Sequence, residues 1–548
     1  MDRVSLRKVL GENGLRNLVT TEVSTLGDLL IRAYDLDPLR DALVMPNRRA
    51  TYADLHGGAT RVARALLAMG VEPGEHVAIL VPNCVEYVEV LLGISLLGCV
   101  AVPLNTRLKS AELGFIARDA RVVAIVTSRH ADDPEDFCRL LQDALDHDPA
   151  LYLRRRLLVR GSGTGAFLGA NEFLGAALQV SATTVEEARR RIRVRQPALI
   201  VYTSGTTANP KGCVLSHEAA TRGPVERARY RLHSSGPDVT WGAGPLCHIG
   251  TLAPFIGSLG VAGTFVTDTY FEPGRALKLM HETGVTLAWP WFPAIVQGLI
   301  GHESFNPDRL ASLQYLFLIA PPTLVDQVQD LLPRCEVIQA CGMTETAGIF
   351  ALCSQDESRE SRSTTHGKAA PGVEVRIVDP QSGADCANGV LGEIWVRGYN
   401  VMEGYWNTPD LTMKAISPDK WLKTGDLYTR LENGSLIFGG RIKDMLKVGG
   451  ENVSAVEVEA FLCTHPAVNI AEVVGRPDQR LDEVPVAFVE LKTGFTADEA
   501  SLIEHCRGRI ANFKVPRAVY FVGPGEWPMS ATKIDKRALR ARLASGTA

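Results

Sequence analysis

Residues 199–212 read Leu-Ile-Val-Tyr-Thr-Ser-Gly-Thr-Thr-Ala-Asn-Pro-Lys-Gly, an apolar strand running into hydroxyls and glycine with a lysine behind them. Small residues let backbone N–H groups come close to a phosphate, hydroxyls add hydrogen bonds, and Lys211 adds positive charge. Thr203, Ser204, Gly205, Thr206, Thr207 and Lys211 therefore form a candidate phosphate loop. The pattern is not the P-loop, which needs Gly-x-x-x-x-Gly-Lys-Ser/Thr. Nor is it an ordinary turn, since turns rarely stack five such residues ahead of Pro-Lys-Gly. Other reactive side chains are scattered: His248, Glu345, Asp426, Arg441 and Lys533. Taken singly, these read as a satisfied core histidine, a surface carboxylate or a helix cap.

The elements that must position these groups are those of a large α/β protein. Residues 60–69, rich in Ala, Leu and Arg and stopped by Gly70, predict a helix. Residues 76–81 predict a buried strand, 86–97 a helix, and 100–104 and 121–127 two more strands. Strands alternating with helices imply a parallel sheet covered on both faces. The glycines at 161–165 predict a loop, and the arginines from 189 to 195 a solvated element. From Gly372 the texture changes, and residues 373–378 and 392–397 alternate like a small β layer. Past Gly439-Gly440-Arg441 a small α+β unit is expected, with a helix over 454–463 and strands at 471–474, 486–491 and 519–522.

Composition narrows the function classes. With 548 residues, 46% hydrophobic and 22% charged, the chain is an ordinary globular protein too long for one core. A formal charge of −4 gives no general attraction to nucleic acid. The eleven cysteines contain no Cys-x-x-Cys, which argues against a disulfide framework or zinc ribbon and for a reducing cytoplasm. The longest apolar stretch, 90–104, is shorter than a membrane span and holds Gly93, Gly98 and Pro103. No uninterrupted apolar core follows the charged N-terminus, so a secretory signal is not expected.

The ordered series of motifs resembles the adenylate-forming superfamily of acyl-CoA synthetases, peptide-synthetase adenylation domains and firefly luciferase. After the loop come Pro245-Leu-Cys-His248-Ile-Gly250, Cys341-Gly-Met-Thr344-Glu345-Thr346 and Gly392-Glu-Ile-Trp-Val-Arg-Gly398. Gly404-Tyr-Trp406, Trp421-Leu-Lys-Thr-Gly425-Asp426, Gly440-Arg441-Ile-Lys443-Asp444, Lys514-Val-Pro516 and Ser530-Ala-Thr-Lys533 complete it, over about residues 50 to 540. The resemblance implies a large N-terminal domain of layered α/β sheets plus a small β layer, residues 1–440, holding ATP and the acyl pocket. A small mobile α+β domain, 441–548, would be hinged to it at Lys443. It further implies activation of a carboxylate by ATP as acyl-adenylate with release of pyrophosphate, then displacement of AMP by a thiol, usually that of coenzyme A.

On that resemblance, Thr203 to Lys211 hold the β- and γ-phosphates, Thr344 reaches the α-phosphate, and Glu345 suits Mg²⁺. Cys341, Gly342 and Met343 border the nucleotide. Asp426 and Arg441 match the ribose ligands and Lys533 the lysine that acts in adenylation. His248, Trp289, Trp291, Phe292 and Ala320 would line the acyl pocket, and Gly449 and Gly450 the path of coenzyme A. Two departures stand out: Cys341 occupies a place that is usually aromatic and stacks on adenine, and Thr532 abuts Lys533 without the usual glycine. Lys533 is preferred to Lys536, which reads as a solvated charge. Three aromatic rings in the pocket predict a short, medium-chain or aryl acid. The expected protein is a cytoplasmic carboxylic acid–CoA ligase using ATP, Mg²⁺ and coenzyme A. Its expected partners are small molecules, without nucleic acid or a membrane span, and a homodimer is left open. A stand-alone enzyme loading a carrier protein is the alternative.

Overall fold

The computed structural model describes residues 23–147, 149–203, 210–234, 236–448, 451–478, 480–530 and 533–546. Two seven-stranded sheets dominate the first 400 residues. One runs, by spatial order, Gly404–Tyr405, Lys211–Ser216, Pro197–Thr203, Val100–Pro103, His76–Leu80, Ala124–Ser128 and Arg155–Arg160. Its last five strands are parallel, with near-continuous apolar sequences in the central ones, and the first three are joined antiparallel. The other places Leu287–Trp291 and Val239–Gly242 at its centre, parallel to their neighbours, and ends on the antiparallel hairpin of Asp41–Met45 with Arg48–Thr51.

Between the sheets pack the helices Leu26–Leu36, Tyr52–Ala68, Val85–Leu97 and Ile249–Gly260, all contributing to the largest buried cluster. Tyr52–Ala68 starts on a capping box between Thr51 and Asp54, and Val85–Leu97 stops at Gly98 in the left-handed conformation. Of the arginine run, Arg190, Arg191, Arg193 and Arg195 are exposed as expected, whereas Arg189, on the helix Ala182–Arg190, is fixed between Glu186 and Asp28.

A three-stranded sheet begins at Ala340–Met343, and a four-stranded antiparallel sheet runs Val373–Val378, Leu391–Gly398, Leu422–Arg430 and Leu436–Arg441. The C-terminal part starts at Met445–Val448. It holds a five-stranded sheet with helices Ala455–Leu462 and Glu499–Cys506, then a hairpin of Met529–Ser530 with Lys533–Ile534, then the helix Lys536–Ser545. All eleven cysteines are free thiols. No helix among the described residues is long and apolar enough to cross a membrane.

Candidate active site

The edges of these sheets enclose a cavity of about 680 Å³. Strand Pro197–Thr203 brings Thr203 to its rim, and register pairs Thr203 with Lys211 across the hairpin. Ser204, Gly205, Thr206 and Thr207 lie outside the described residues, as do Gly449 and Gly450. Opposite, Ala340–Met343 runs into a short 3₁₀ turn, Thr344–Thr346, which places Thr344 and Glu345 in the wall. Gly342 is required there: a Cβ on it would fall 2.3 Å from the carbonyl oxygen of Gly348.

Glu345 is held from the side. The Tyr405 hydroxyl donates to its Oε1 at 2.8 Å, and the Lys211 ammonium sits 5.4 Å from the centre of the same ring. Tyr405 thus links the two opposite charges at this side of the cavity. Its motif was visible in the sequence, but no spacing rule connects residue 405 with 345.

At the far side, strands Leu422–Arg430 and Leu436–Arg441 pair Asp426 with Arg441, and the side chains meet at 2.9 Å. The turn before Asp426 is locked by Glu393, a buried carboxylate that accepts from the Gly425 N–H at 2.8 Å and from Trp395 Nε1 at 2.7 Å. The Thr424 hydroxyl accepts from the Asp426 N–H and donates to the Ile394 carbonyl. Sequence reasoning missed Glu393, which announces itself only through the strand pairing.

His248 begins the helix Ile249–Gly260 and lines the cavity. Asn105 Nδ2 donates to its Nε2 at 3.0 Å, and the Arg107 N–H donates to Asn105 Oδ1, which fixes the amide's orientation. Nε2 is therefore an acceptor and the ring is neutral, with its proton on Nδ1. Burial, then the charge of Arg107, pushes its pKa below the ordinary histidine value. Arg107 lies in an adjoining cavity of about 240 Å³ that shares Pro245 and Ile295 with the first and also meets Met529 of the C-terminal hairpin. The hairpin pairs Ser530 with Lys533, so the Lys533 backbone stands beside this junction.

One end of the cavity is apolar, walled by Ile249, Pro290, Trp291, Phe292, Ile295, Ile319 and Ile349. Trp291 has φ +64, a conformation costly for a bulky residue, and its Nε1 donates to the Gly250 carbonyl at 2.5 Å. Three residues assigned to the cavity from sequence lie elsewhere. Trp289 is buried behind the wall, stacked on Phe317 at 3.6 Å between ring centres. Ala320 lies next to the wall residue Ile319 but does not line the cavity, and its N–H is held by Gln339. Cys341 is 4% exposed and packs beneath Gly342 beside the Tyr428 hydroxyl. Lys536 is not solvated either; it lies in a buried ion cluster with Glu459 and Glu472.

Asp426 is committed to Arg441, so of the two carboxylates at the polar end Glu345 is the one whose chemistry fits Mg²⁺ held mainly through phosphate and water. Among the described residues no three His, Cys, Asp or Glu side chains converge into a metal cage.

Residues 32–406 match the AMP-binding enzyme family, and 457–533 match the AMP-binding enzyme C-terminal domain. The chain belongs to the AMP-binding enzymes. It is an AMP-forming acid–CoA ligase of the adenylate-forming superfamily. A 7a-methyl-1,5-dioxo-octahydroindenyl propanoyl:CoA ligase of Rhodococcus jostii is 32% identical over 86% of this ligase and 90% of its own length. A mitochondrial medium-chain acyl-CoA ligase of Mus musculus is 27% identical over 95% and 88%. The crystal structure of the anthranilate CoA ligase AuaEII with anthranoyl-AMP is 26% identical, covers 96% of this ligase and 98% of its own chain, and superposes with a TM-score of 0.83.

Proposed function

We propose that this ligase activates a short-chain, medium-chain or aryl monocarboxylic acid. The carrying observation is the cavity's division into an apolar end closed by Trp291 and Phe292 and a polar end bearing Thr203, Lys211, Thr344, Glu345, Asp426 and Arg441. Two aromatic rings and four isoleucines leave room for a ring or a short chain, and no charged side chain lines that end to pair a second carboxylate. The similar proteins whose names describe medium-chain, ring-bearing and aromatic acids support the same class.

In the first half-reaction an oxygen of the acid attacks the α-phosphorus of ATP and pyrophosphate leaves. Thr203, Lys211 and the loop 204–207 hold the β- and γ-phosphates, and Thr344 steadies the α-phosphate. Asp426 and Arg441 orient the ribose hydroxyls. Gly342 and Met343 form the nucleotide's flat wall, and Cys341 supports that wall from behind. Neutral His248 orients the acid without bringing a competing charge. The ammonium of Lys533 offsets charge developing between carboxylate and phosphate. Bound Mg²⁺ on Glu345 would neutralise phosphate charge and orient the leaving pyrophosphate. In the second half-reaction residues 441–548 turn about Lys443 and carry Lys533 away. Gly449 and Gly450 then border the thiol of coenzyme A, which attacks the acyl carbonyl and expels AMP. Unpaired thiols throughout the chain suit a cytoplasmic enzyme.

The test is kcat/KM for acyl-CoA formation across C3–C18 and aryl acids, with AMP identified as co-product. The reading predicts a maximum at or below C10 or on an aryl acid. A higher value on palmitate than on all of these would overturn it, and acylation of carrier protein in preference to coenzyme A would favour the carrier-loading alternative.

A further inference from the structure

Lys536 opens the final helix, three residues beyond Lys533, and its ammonium is turned inward with the side chain 17% exposed. Nζ lies 2.5 Å from Glu459 Oε1, 3.3 Å from Glu472 Oε2 and 3.4 Å from the Val473 carbonyl. Glu459 belongs to the helix Ala455–Leu462 and accepts the Val473 N–H at 2.8 Å, while Glu472 and Val473 belong to the strand Val468–Asp478. One ammonium thus joins the terminal helix to a second helix and to the central sheet of the C-terminal part. A buried charge with two carboxylate partners is committed to them, because withdrawing it would leave the carboxylates uncompensated.

The residue next to Lys536 completes the connection. Asp535 caps the terminal helix by accepting the Arg537 and Ala538 N–H groups, and its own N–H donates to the Pro528 carbonyl at 2.7 Å. The hairpin that carries Lys533 has two strands of two residues each, and so short a pairing is marginal by itself. Two anchors on its C-terminal side hold it in place: Ile534, packed against the buried cluster that includes Val474 and Leu539, and the clamp at Lys536. Arg540, one turn further, pairs with Asp444 at 3.0 Å, next to the residue 443 pivot.

We infer that Lys536 is a positioning residue for adenylation: it clamps the start of the terminal helix to Glu459 and Glu472 and so fixes the hairpin that presents Lys533. The inference rests on the proposed role of Lys533. Lys536 touches no substrate. Because the hairpin serves only the first half-reaction, the clamp matters there and not in transfer to coenzyme A.

The experiment compares Lys536→Met, Lys536→Arg, the charge-balanced Lys536→Met/Glu472→Gln pair and Lys533→Ala in the full-length enzyme. Folding is checked by circular dichroism and thermal melting. Acid-dependent pyrophosphate exchange and thioester formation from pre-made acyl-adenylate are measured separately. Lys536→Met, or the balanced pair if the single variant does not fold, is expected to lose exchange tenfold or more while thioester formation stays within threefold. Lys536→Arg is expected to restore exchange to within threefold. Exchange retained in a folded Lys536→Met or balanced variant, beside exchange lost in Lys533→Ala, overturns the positioning role alone. Equal losses in both half-reactions overturn it in favour of a purely structural part. Exchange retained in Lys533→Ala overturns the reading of Lys533 and the inference built on it.

Discussion

Tyr405 shows how much of this site depends on groups behind the reacting ones. Its hydroxyl orients Glu345, and a metal-ligating carboxylate that loses such a partner typically loses ten- to a hundredfold in affinity. Tyr405→Phe is therefore expected to raise the Mg²⁺ concentration for half-maximal pyrophosphate exchange by at least tenfold. An unchanged Mg²⁺ requirement would mean that Glu345 is not the metal's ligand. Cys341 invites the opposite experiment. The sequence suggests that an aromatic ring would be tolerated there, offering a face for adenine unless the site is built around the smaller thiol. The thiol, however, lies in the core against Tyr428, with no space for a phenol. Cys341→Tyr should cost about 1–3 kcal/mol by overpacking, read as a lower Tm, together with weaker ATP binding. A stable variant with tighter ATP binding would place adenine against residue 341 after all.

At the scale of elements, the alternation of strands and helices was legible. Expected strands at 76–81 and 100–104 are His76–Leu80 and Val100–Pro103, and the expected helix at 86–97 is Val85–Leu97. The resemblance did not separate Trp289 from Trp291: both stand at places where the family motifs put the pocket, and on a regular strand residues two apart would share a face. A register break between Ala288 and Trp291, with Trp291 at positive φ, puts one ring in the cavity and leaves the other stacked in the core. Asp426 was readable through its place in the ordered motif series, and the structure sets it in the cavity wall with Thr203 and Lys211. Lys536 was not readable, since its partners Glu459 and Glu472 lie 77 and 64 residues away in sequence. Trp291→Ala should open the apolar end and move the preferred acid to longer chains, with kcat/KM for C12–C16 acids rising at least tenfold relative to C6. An unaltered chain-length profile would take Trp291 out of the acyl pocket.

For the whole molecule, the packing of buried histidines sets a pH limit on stability. His366 is stacked on Phe438, has Nδ1 3.0 Å from the Tyr428 hydroxyl, and is pushed by burial down to about 4. Below its ordinary value of about 6.5 the unfolded chain takes up a proton that the native ring refuses. Its neutral burial thus favours the fold above that pH, and the advantage is lost as pH falls toward about 4. The slope approaches roughly 1.4 kcal/mol per pH unit. His366→Phe removes the titration, so the Tm of wild type relative to the variant should decline between pH 7 and pH 4.5. A constant difference would show that His366 does not titrate in this way.

The same molecule-wide view governs catalysis. A polar end and an apolar end meet in one cavity, and Met529 of the C-terminal hairpin borders the cavity beside it, an arrangement suited to joining an acid to AMP before any thiol enters. The most direct test is exchange of labelled pyrophosphate into ATP by the purified enzyme without coenzyme A. The account predicts exchange that depends on both Mg²⁺ and a short-chain, medium-chain or aryl acid, with acyl-adenylate recoverable from the enzyme. Absence of acid-dependent exchange, or release of ADP and phosphate in place of AMP and pyrophosphate, would contradict it.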